Sequence, residues 1–185
     1  MSYGQNDFLT EEQYYLGFPF QEGIYLSFNE FKTNQPSYQR YFEKRGSNLY
    51  LESDSSKEMI LIDPRKVWGY SKAGNIYISQ EDAYWRIINI GALSQFTSII
   101  LKSFRTVDNF GFPIEHQTKS LEQLFLDFNS GELYELTAEN LQPFVDREPL
   151  LANRFKKMKR MRARDLILVL KAYNELYPIY FPIHE

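Results

Sequence analysis

Apolar and polar residues alternate over short stretches through the first three-quarters of the chain, then recur at helical spacing, so strands are expected first and helices last. Gly23-Ile24-Tyr25-Leu26-Ser27-Phe28 predicts a strand, followed by a helical turn at Asn29-Glu30-Phe31 and a loop through Asn34, Pro36 and Ser37. Residues 48–52 and 58–62 flank the polar tract Ser53-Asp54-Ser55-Ser56-Lys57, which suits a hairpin. Val67-Trp68-Gly69-Tyr70 and Ile76-Tyr77-Ile78-Ser79 flank a turn containing Gly74 and give the strongest hairpin signal. Residues 83–90 add a third strand, apolar on both faces and therefore expected to be central. Residues 93–104 predict another strand. Residues 107–116, with Gly111 and Pro113, predict an irregular, mobile loop, and 124–128 with 132–136 predict a last hairpin around Asn129-Ser130-Gly131.

Ahead of the strands, Thr10-Glu11-Glu12-Gln13 has capping-box spacing and predicts a short helix ended by Gly17 and Pro19. After them, Thr137 caps a short helix to Val145, and Pro149 opens a longer helix running to Leu176. Its apolar stripe is Leu151, Phe155, Met158, Leu166, Val169, Tyr173 and Leu176, interrupted by Arg162. Tyr177-Pro178-Ile179-Tyr180-Phe181-Pro182-Ile183 cannot be regular helix, and predicts an extended tail that docks on the body through Ile179, Phe181 and Ile183. The expected architecture is α+β: a mostly antiparallel sheet of about seven to nine strands over residues 23–136, a short helix, and a long C-terminal helix packed on the sheet. The 185 residues suit one domain, 1–185, comprising an N-terminal segment (1–20), a β-rich body (23–136), a helical part (137–176) and a tail (177–185).

Composition sharpens this picture in three places. Fourteen Tyr, 15 Phe and two Trp are a surplus that fills a β-rich core or makes a partly polar contact surface. The net charge of −3 does not favour nucleic acid or an anionic membrane as a partner of the whole molecule. The lack of cysteine excludes disulfide frameworks, Cys-ligated metals and cysteine nucleophiles, and no apolar run approaches the roughly 18 residues of a spanning helix.

Recognisable catalytic frames are missing. His116 and His184 are the only imidazoles; each lies beside a glutamate, in a loop and at the penultimate position, and solvated surface roles are expected for both. Nucleophile elbow, HExxH, EF-hand, Walker loop and GxGxxG are all absent from the sequence. The carboxylate pairs Glu52/Asp54 and Glu81/Asp82 could in principle serve as acid and base, which keeps a glycan hydrolase open as the alternative function. Two features point instead to contact with another protein. Tyr14, Tyr15, Phe18 and Phe20 form an aromatic cluster that is either core or an exposed patch. Arg154, Lys156, Lys157, Lys159, Arg160, Arg162 and Arg164 place seven cations within eleven residues, as a docking face or as a solvated helix face paired with acids on the sheet. Tyr14, Tyr15, Phe18, Phe20, Lys156, Lys157, Lys159 and Arg160 are thus the candidate protein-binding residues. No catalytic, metal or cofactor residue is assigned, and no cofactor is expected.

Residues 23–31 with Asn34 and Pro36, Val67-Trp68-Gly69-Tyr70 with residues 74–78, Asn129 to Leu136, and Lys171-Ala172-Tyr173-Asn174-Glu175 with Pro178 together resemble an uncharacterised family of small proteins exported to the envelope of Bacteroidetes-type bacteria. The resemblance spans about residues 20 to 182 and implies a compartment but no activity, cofactor or catalytic residue. The small polar opening Met1-Ser2-Tyr3-Gly4-Gln5 is of the kind found after a signal-peptide cleavage site, and equally of a native cytosolic start. The resemblance favours a periplasmic or outer-surface location over a cytoplasmic one. The expected function is non-enzymatic: an accessory or assembly factor, or a toxin-immunity type partner, that binds protein, does not bind nucleic acid, and touches a membrane surface at most without spanning it.

Overall fold

The computed structural model describes residues 10–158 and 161–184. It opens with β1 (Glu11–Gln13), β2 (Gly23–Tyr25) and the short helix α1 (Phe28–Lys32). A hairpin series follows: β3 (Phe42–Arg45), β4 (Asn48–Glu52) and β5 (Met59–Ile62), then β6 (Gly69–Lys72), β7 (Asn75–Gln80) and β8 (Ala83–Asn89). The two longest strands are β9 (Leu93–Val107) and β10 (Pro113–Asp127), and β11 (Leu133–Glu135) ends the series. Helices α2 (Ala138–Val145), α3 (Pro149–Lys156) and α4 (Ala163–Leu176) precede a last strand, β12 (Tyr180–Pro182).

Every strand pairing is antiparallel. Seven strands form one sheet in the order β11-β10-β9-β8-β7-β6-β2, β3-β4-β5 form a second, and β1 pairs with β12. The α+β class with mostly antiparallel sheets thus holds, while the body between residues 23 and 136 divides its strands between two sheets. Local turn chemistry explains much of this. Ala73 and Gly74 both take positive φ in the two-residue loop joining β6 to β7, the backbone twist that a tight hairpin requires. Glu81 and Asp82 do the same between β7 and β8, with φ of 51° and 56°, and no glycine relieves them.

The main core gathers Phe96, Leu124 and Phe125 from the long strands, Leu141 and Phe144 from α2, Leu151 and Phe155 from α3, and Leu166, Val169, Leu170 and Tyr173 from α4. Phe181 of the tail is fully buried within it, ringed by Tyr14, Phe18, Phe20, Phe31 and Phe128 at centroid distances of 5.0 to 6.3 Å. A smaller core of Ile24, Phe42, Leu49, Leu51, Val67, Tyr70 and Tyr84 joins the three-stranded sheet to the large one. Asn174 fastens α4 to the start of β9: its side chain accepts from the Leu93 N–H at 2.8 Å and donates to the Leu93 carbonyl at 2.9 Å. Gly91 makes room for this contact, because a methyl group there would overlap the Asn174 amide.

Three local expectations are overturned, two of them by strand pairing. Glu11–Gln13 is a strand rather than a helix, because β12 supplies a partner for its backbone and outweighs a weak capping signal. The long helix expected from Pro149 to Leu176 is instead two helices, α3 ending at Lys156 and α4 starting at Ala163. The break falls inside the cationic run, where like charges three and four residues apart repel along a continuous helix. Arg162 then stands at the cap of α4, its N–H bonded to the Asp165 carboxylate at 3.0 Å. Residues 107–116 are not an irregular loop but the end of a continuous β9–β10 ladder closed by a short turn.

Phe181→Ala should remove about 3–5 kcal/mol of stability and lower the melting temperature by roughly 6–20 °C, measurable by calorimetry. The paired change E81N/D82G should act oppositely, since relieving two left-handed non-glycine residues stabilises by about 1–2 kcal/mol. A lower melting temperature for that variant would contradict this account of the turn.

Candidate functional site

The sequence candidates separate once folded. Phe18 and Phe20 are buried core residues, packed on one another and on Phe181 in tilted and edge-on geometry. Tyr14 is half-buried beside them, and Tyr15 is exposed, meeting Phe18 edge-on at 5.9 Å. Lys156 and Lys157 are exposed at the end of α3, whereas Lys159 and Arg160 lie outside the described residues. Within the run, the ion pair among described residues joins Arg164 to its neighbour Asp165 at 3.6 Å, so the expected pairing of these cations with acids on the sheet is not seen there.

The carboxylate pairs lie in turns. Asp54 pairs with Arg40, Glu52 reaches Lys57 at 3.8 Å, and Glu81 and Asp82 sit exposed at a hairpin tip. A groove of about 290 Å³ between Tyr14, Leu16, Ile88, Ile90 and the α4 residues Lys171, Asn174 and Glu175 contains a single carboxylate. So does a cavity of about 220 Å³ lined by Glu22, Gln39, Arg40, Tyr41, Phe42 and Lys72. Two-carboxylate hydrolysis needs a facing pair. Among the described residues, no three His, Asp or Glu side chains converge as metal ligands would, and no helix is long and apolar enough to cross a membrane. Burial pushes the phenols of Tyr25, Tyr70 and Tyr84 well above their ordinary pKa, which keeps them protonated. His184 ties the tail to Thr33, its Nε2 lying 2.8 Å from that carbonyl, rather than standing free in solvent.

The most distinctive surface is one the sequence did not announce. β9 and β10 pair through fifteen rows, but β8 meets β9 only as far as Phe96, and β11 meets β10 only from Leu124 onward. Beyond these rows the two strands continue as a ribbon, whose exposed part from the Leu101–Lys119 row to the Val107–Pro113 row runs roughly 20 Å at about 3.4 Å per residue. Nearly every residue from Leu101 to Leu121 is exposed, so both faces of this arm stand clear of the body.

Its surface is unusually apolar for a free ribbon. Leu101, Phe104, Val107, Phe110, Phe112, Ile114 and Leu121 are all exposed, with Phe110 at 86% and Val107 at 70%. The tip is well closed: the Asp108 carboxylate accepts from the N–H groups of Phe110 and Phe112, both at 2.8 Å, and Asp108 N–H donates to the Phe112 carbonyl at 2.9 Å. Gly111 takes the left-handed conformation that this turn needs, with φ of 84°. The turn therefore holds two phenylalanine rings in water. Along the shaft, Phe104 stacks on His116 at 5.1 Å, and His116 Nε2 bonds the Thr106 hydroxyl at 2.7 Å.

The root is clamped electrostatically. Lys102 Nζ donates to Glu122 at 2.7 Å and to Glu135 of β11 at 3.0 Å, and Ser120 donates to the same Glu122 oxygen at 2.6 Å. These hydrogen bonds, from Lys102 first and Ser120 next, hold the Glu122 carboxyl below its usual range, and the same acids hold the Lys102 ammonium above its own.

No protein-family model, curated protein or solved structure matches the chain. Geometry therefore carries the functional reading. What the arrangement can do chemically is bind: an exposed ribbon with apolar side chains and open backbone edges offers contact area and hydrogen-bonding groups together. A stronger sequence signal for the arm would have been apolar alternation on one face, but a ribbon that packs on nothing needs none.

Because the folded Glu122 pKa is lowered, its contribution to the root is present above the unfolded carboxylate pKa and is lost as pH falls through the folded one. A carboxyl-detected NMR titration should find Glu122 below the ordinary glutamate range, and Lys102→Met should move it back up. An unshifted Glu122 in the parent chain would show that the clamp does not form in solution.

Proposed function

We propose that this chain is a non-enzymatic protein of the bacterial envelope that acts by binding another protein, as an accessory or assembly factor or as the immunity partner of a toxin. The observation that carries the reading is the arm: Phe110 and Phe112 stand exposed at the tip of an ordered turn, on a ribbon whose body is independently cored. Exposing large aromatic side chains costs solubility, and exposed apolar patches on folded proteins mark contact sites. Aromatic residues on a rigid support are the side chains that dominate binding energy at protein interfaces. Tyr15 and Leu16, exposed beside the groove floored by Ile88 and Ile90, offer a second apolar surface on the body. Lys156 and Lys157 would favour an acidic partner nearby. The envelope location rests on the family resemblance given above.

The test uses F110S/F112S in the full chain. Surface substitutions of this kind leave stability within about 0.5 kcal/mol, so the melting temperature should be unchanged, while a stoichiometric partner recovered from envelope extract with the parent chain should be lost. Recovery of the same partner by the substituted chain would remove the arm from the interface. Turnover of an envelope glycan by the purified chain would overturn the non-enzymatic reading.

A further inference from the structure

The arm has two backbone edges, and they differ in charge. Hydrogen bonding along an antiparallel ladder alternates, so each residue directs its N–H and C=O to one side only. Asp108 N–H bonds the Phe112 carbonyl, which directs the even-numbered residues of the β10 shaft inward to β9. Its odd-numbered residues face outward, as the bonds Leu136 N–H to Gln123 O and Asp127 N–H to Glu132 O confirm nearer the root. Among the described residues, the outward groups of Pro113, Glu115, Gln117, Lys119 and Leu121 have no strand partner.

We propose that this β10 edge pairs with the same edge of a second copy of the chain, antiparallel, about a two-fold axis at Gln117. A two-fold antiparallel contact sets residue i against residue j with a constant sum. The register that sets Glu115 against the partner copy's Lys119 has its axis at Gln117, and symmetry then repeats that ion pair. Within each arm Glu115 is already opposite Arg105, so the assembled sheet places every Glu115 between two cations. The same register lines up Ile99 and Leu121 of one arm with Pro113 and Val107 of the other, giving an apolar row across four strands that covers Leu121, now 64% exposed. The β9 edge cannot do this. Its exposed shaft carries Arg105 and no acid, so pairing it with itself offers no ion pair, and the symmetric register about Arg105 would set like charges together.

The contact is small, nine residues per arm, and belongs with the weaker class of interfaces. Dimerisation in the micromolar range is therefore expected. The proposal is independent of the identity of any other partner, because it concerns the purified chain alone.

Sedimentation of the full chain over a concentration series should show a monomer–dimer equilibrium. Gln117→Pro removes an outward N–H without breaking the arm's own ladder and should leave only monomer. Glu115→Lys should weaken dimerisation at least about tenfold, and R105E/E115K/K119E should restore it by reversing the whole charge row. Since the chain has no cysteine, Gln117→Cys gives a direct readout: paired residues at a hydrogen-bonded row lie about 5.5 Å apart, within disulfide range. It should oxidise to a covalent dimer, whereas Ser103→Cys on the opposite edge should not. A chain that stays monomeric at hundreds of micromolar, a dimer indifferent to Gln117→Pro, or equal crosslinking at both cysteine positions would overturn the proposal. A monomeric chain that still captures an envelope partner would overturn this inference alone and leave the binding function standing.

Discussion

Phe181 is the contact on which the remainder of the structure leans. Its ring is fully buried among aromatic side chains drawn from the N-terminal segment (Tyr14, Phe18, Phe20), from α1 (Phe31) and from the turn after β10 (Phe128). Those segments are short and irregular, and few of their backbone groups are satisfied by regular structure. What holds them is a shared apolar centre with edge-to-face geometry, worth somewhat more than burial alone. The backbone follows: β12 pairs with β1, and Asn34, almost wholly buried, accepts from Gln21 N–H and donates to the Pro182 carbonyl. Both ends of the described chain are thereby joined to each other and to the main core.

That closure leaves the long strands free to do something else. β9 and β10 spend only their root rows in the core, where Phe96, Leu124 and Phe125 share one apolar cluster with residues of α2, α3 and α4. Asn174 pins the first residue of β9, and Lys102 with Glu122 and Glu135 pins the point where the ribbon leaves the body. A two-stranded ribbon in water is marginal by itself. Here it inherits register from a rigid root and closure from the Asp108 turn, so its exposed side chains are presented in fixed order without packing against anything. The exposed apolar arm and the stabilising core are separated in space, so the arm carries phenylalanines that the core does not need.

The candidate site was less legible in the sequence than the fold. Tyr14, Tyr15, Phe18 and Phe20 looked alike as a cluster, yet Phe18 and Phe20 point inward while Tyr15 points outward, and nothing within residues 14–20 states where Phe181 will be. Residues 107–116 carry turn-forming residues that suit a loose loop as well as they suit the tip of an arm. Only the ladder of pairs from Leu93 with Asp127 to Val107 with Pro113 distinguishes the two. The arm was missed because apolar periodicity reports packing on a core, and this element has none.

What the sequence determined by itself was local: the hairpins at residues 48–62, 67–80 and 124–136, the helix capped by Thr137, and the extended conformation of a tail with two prolines. Each depends on neighbours within a few residues, through turn dihedrals, cap hydrogen bonds and fixed φ. The tertiary structure decided the rest: that Glu11–Gln13 is a strand, that the strands divide between two sheets, and that two of them overshoot the body as an arm. Those outcomes turn on contacts between residues far apart in sequence, whose energies a short window of sequence does not contain.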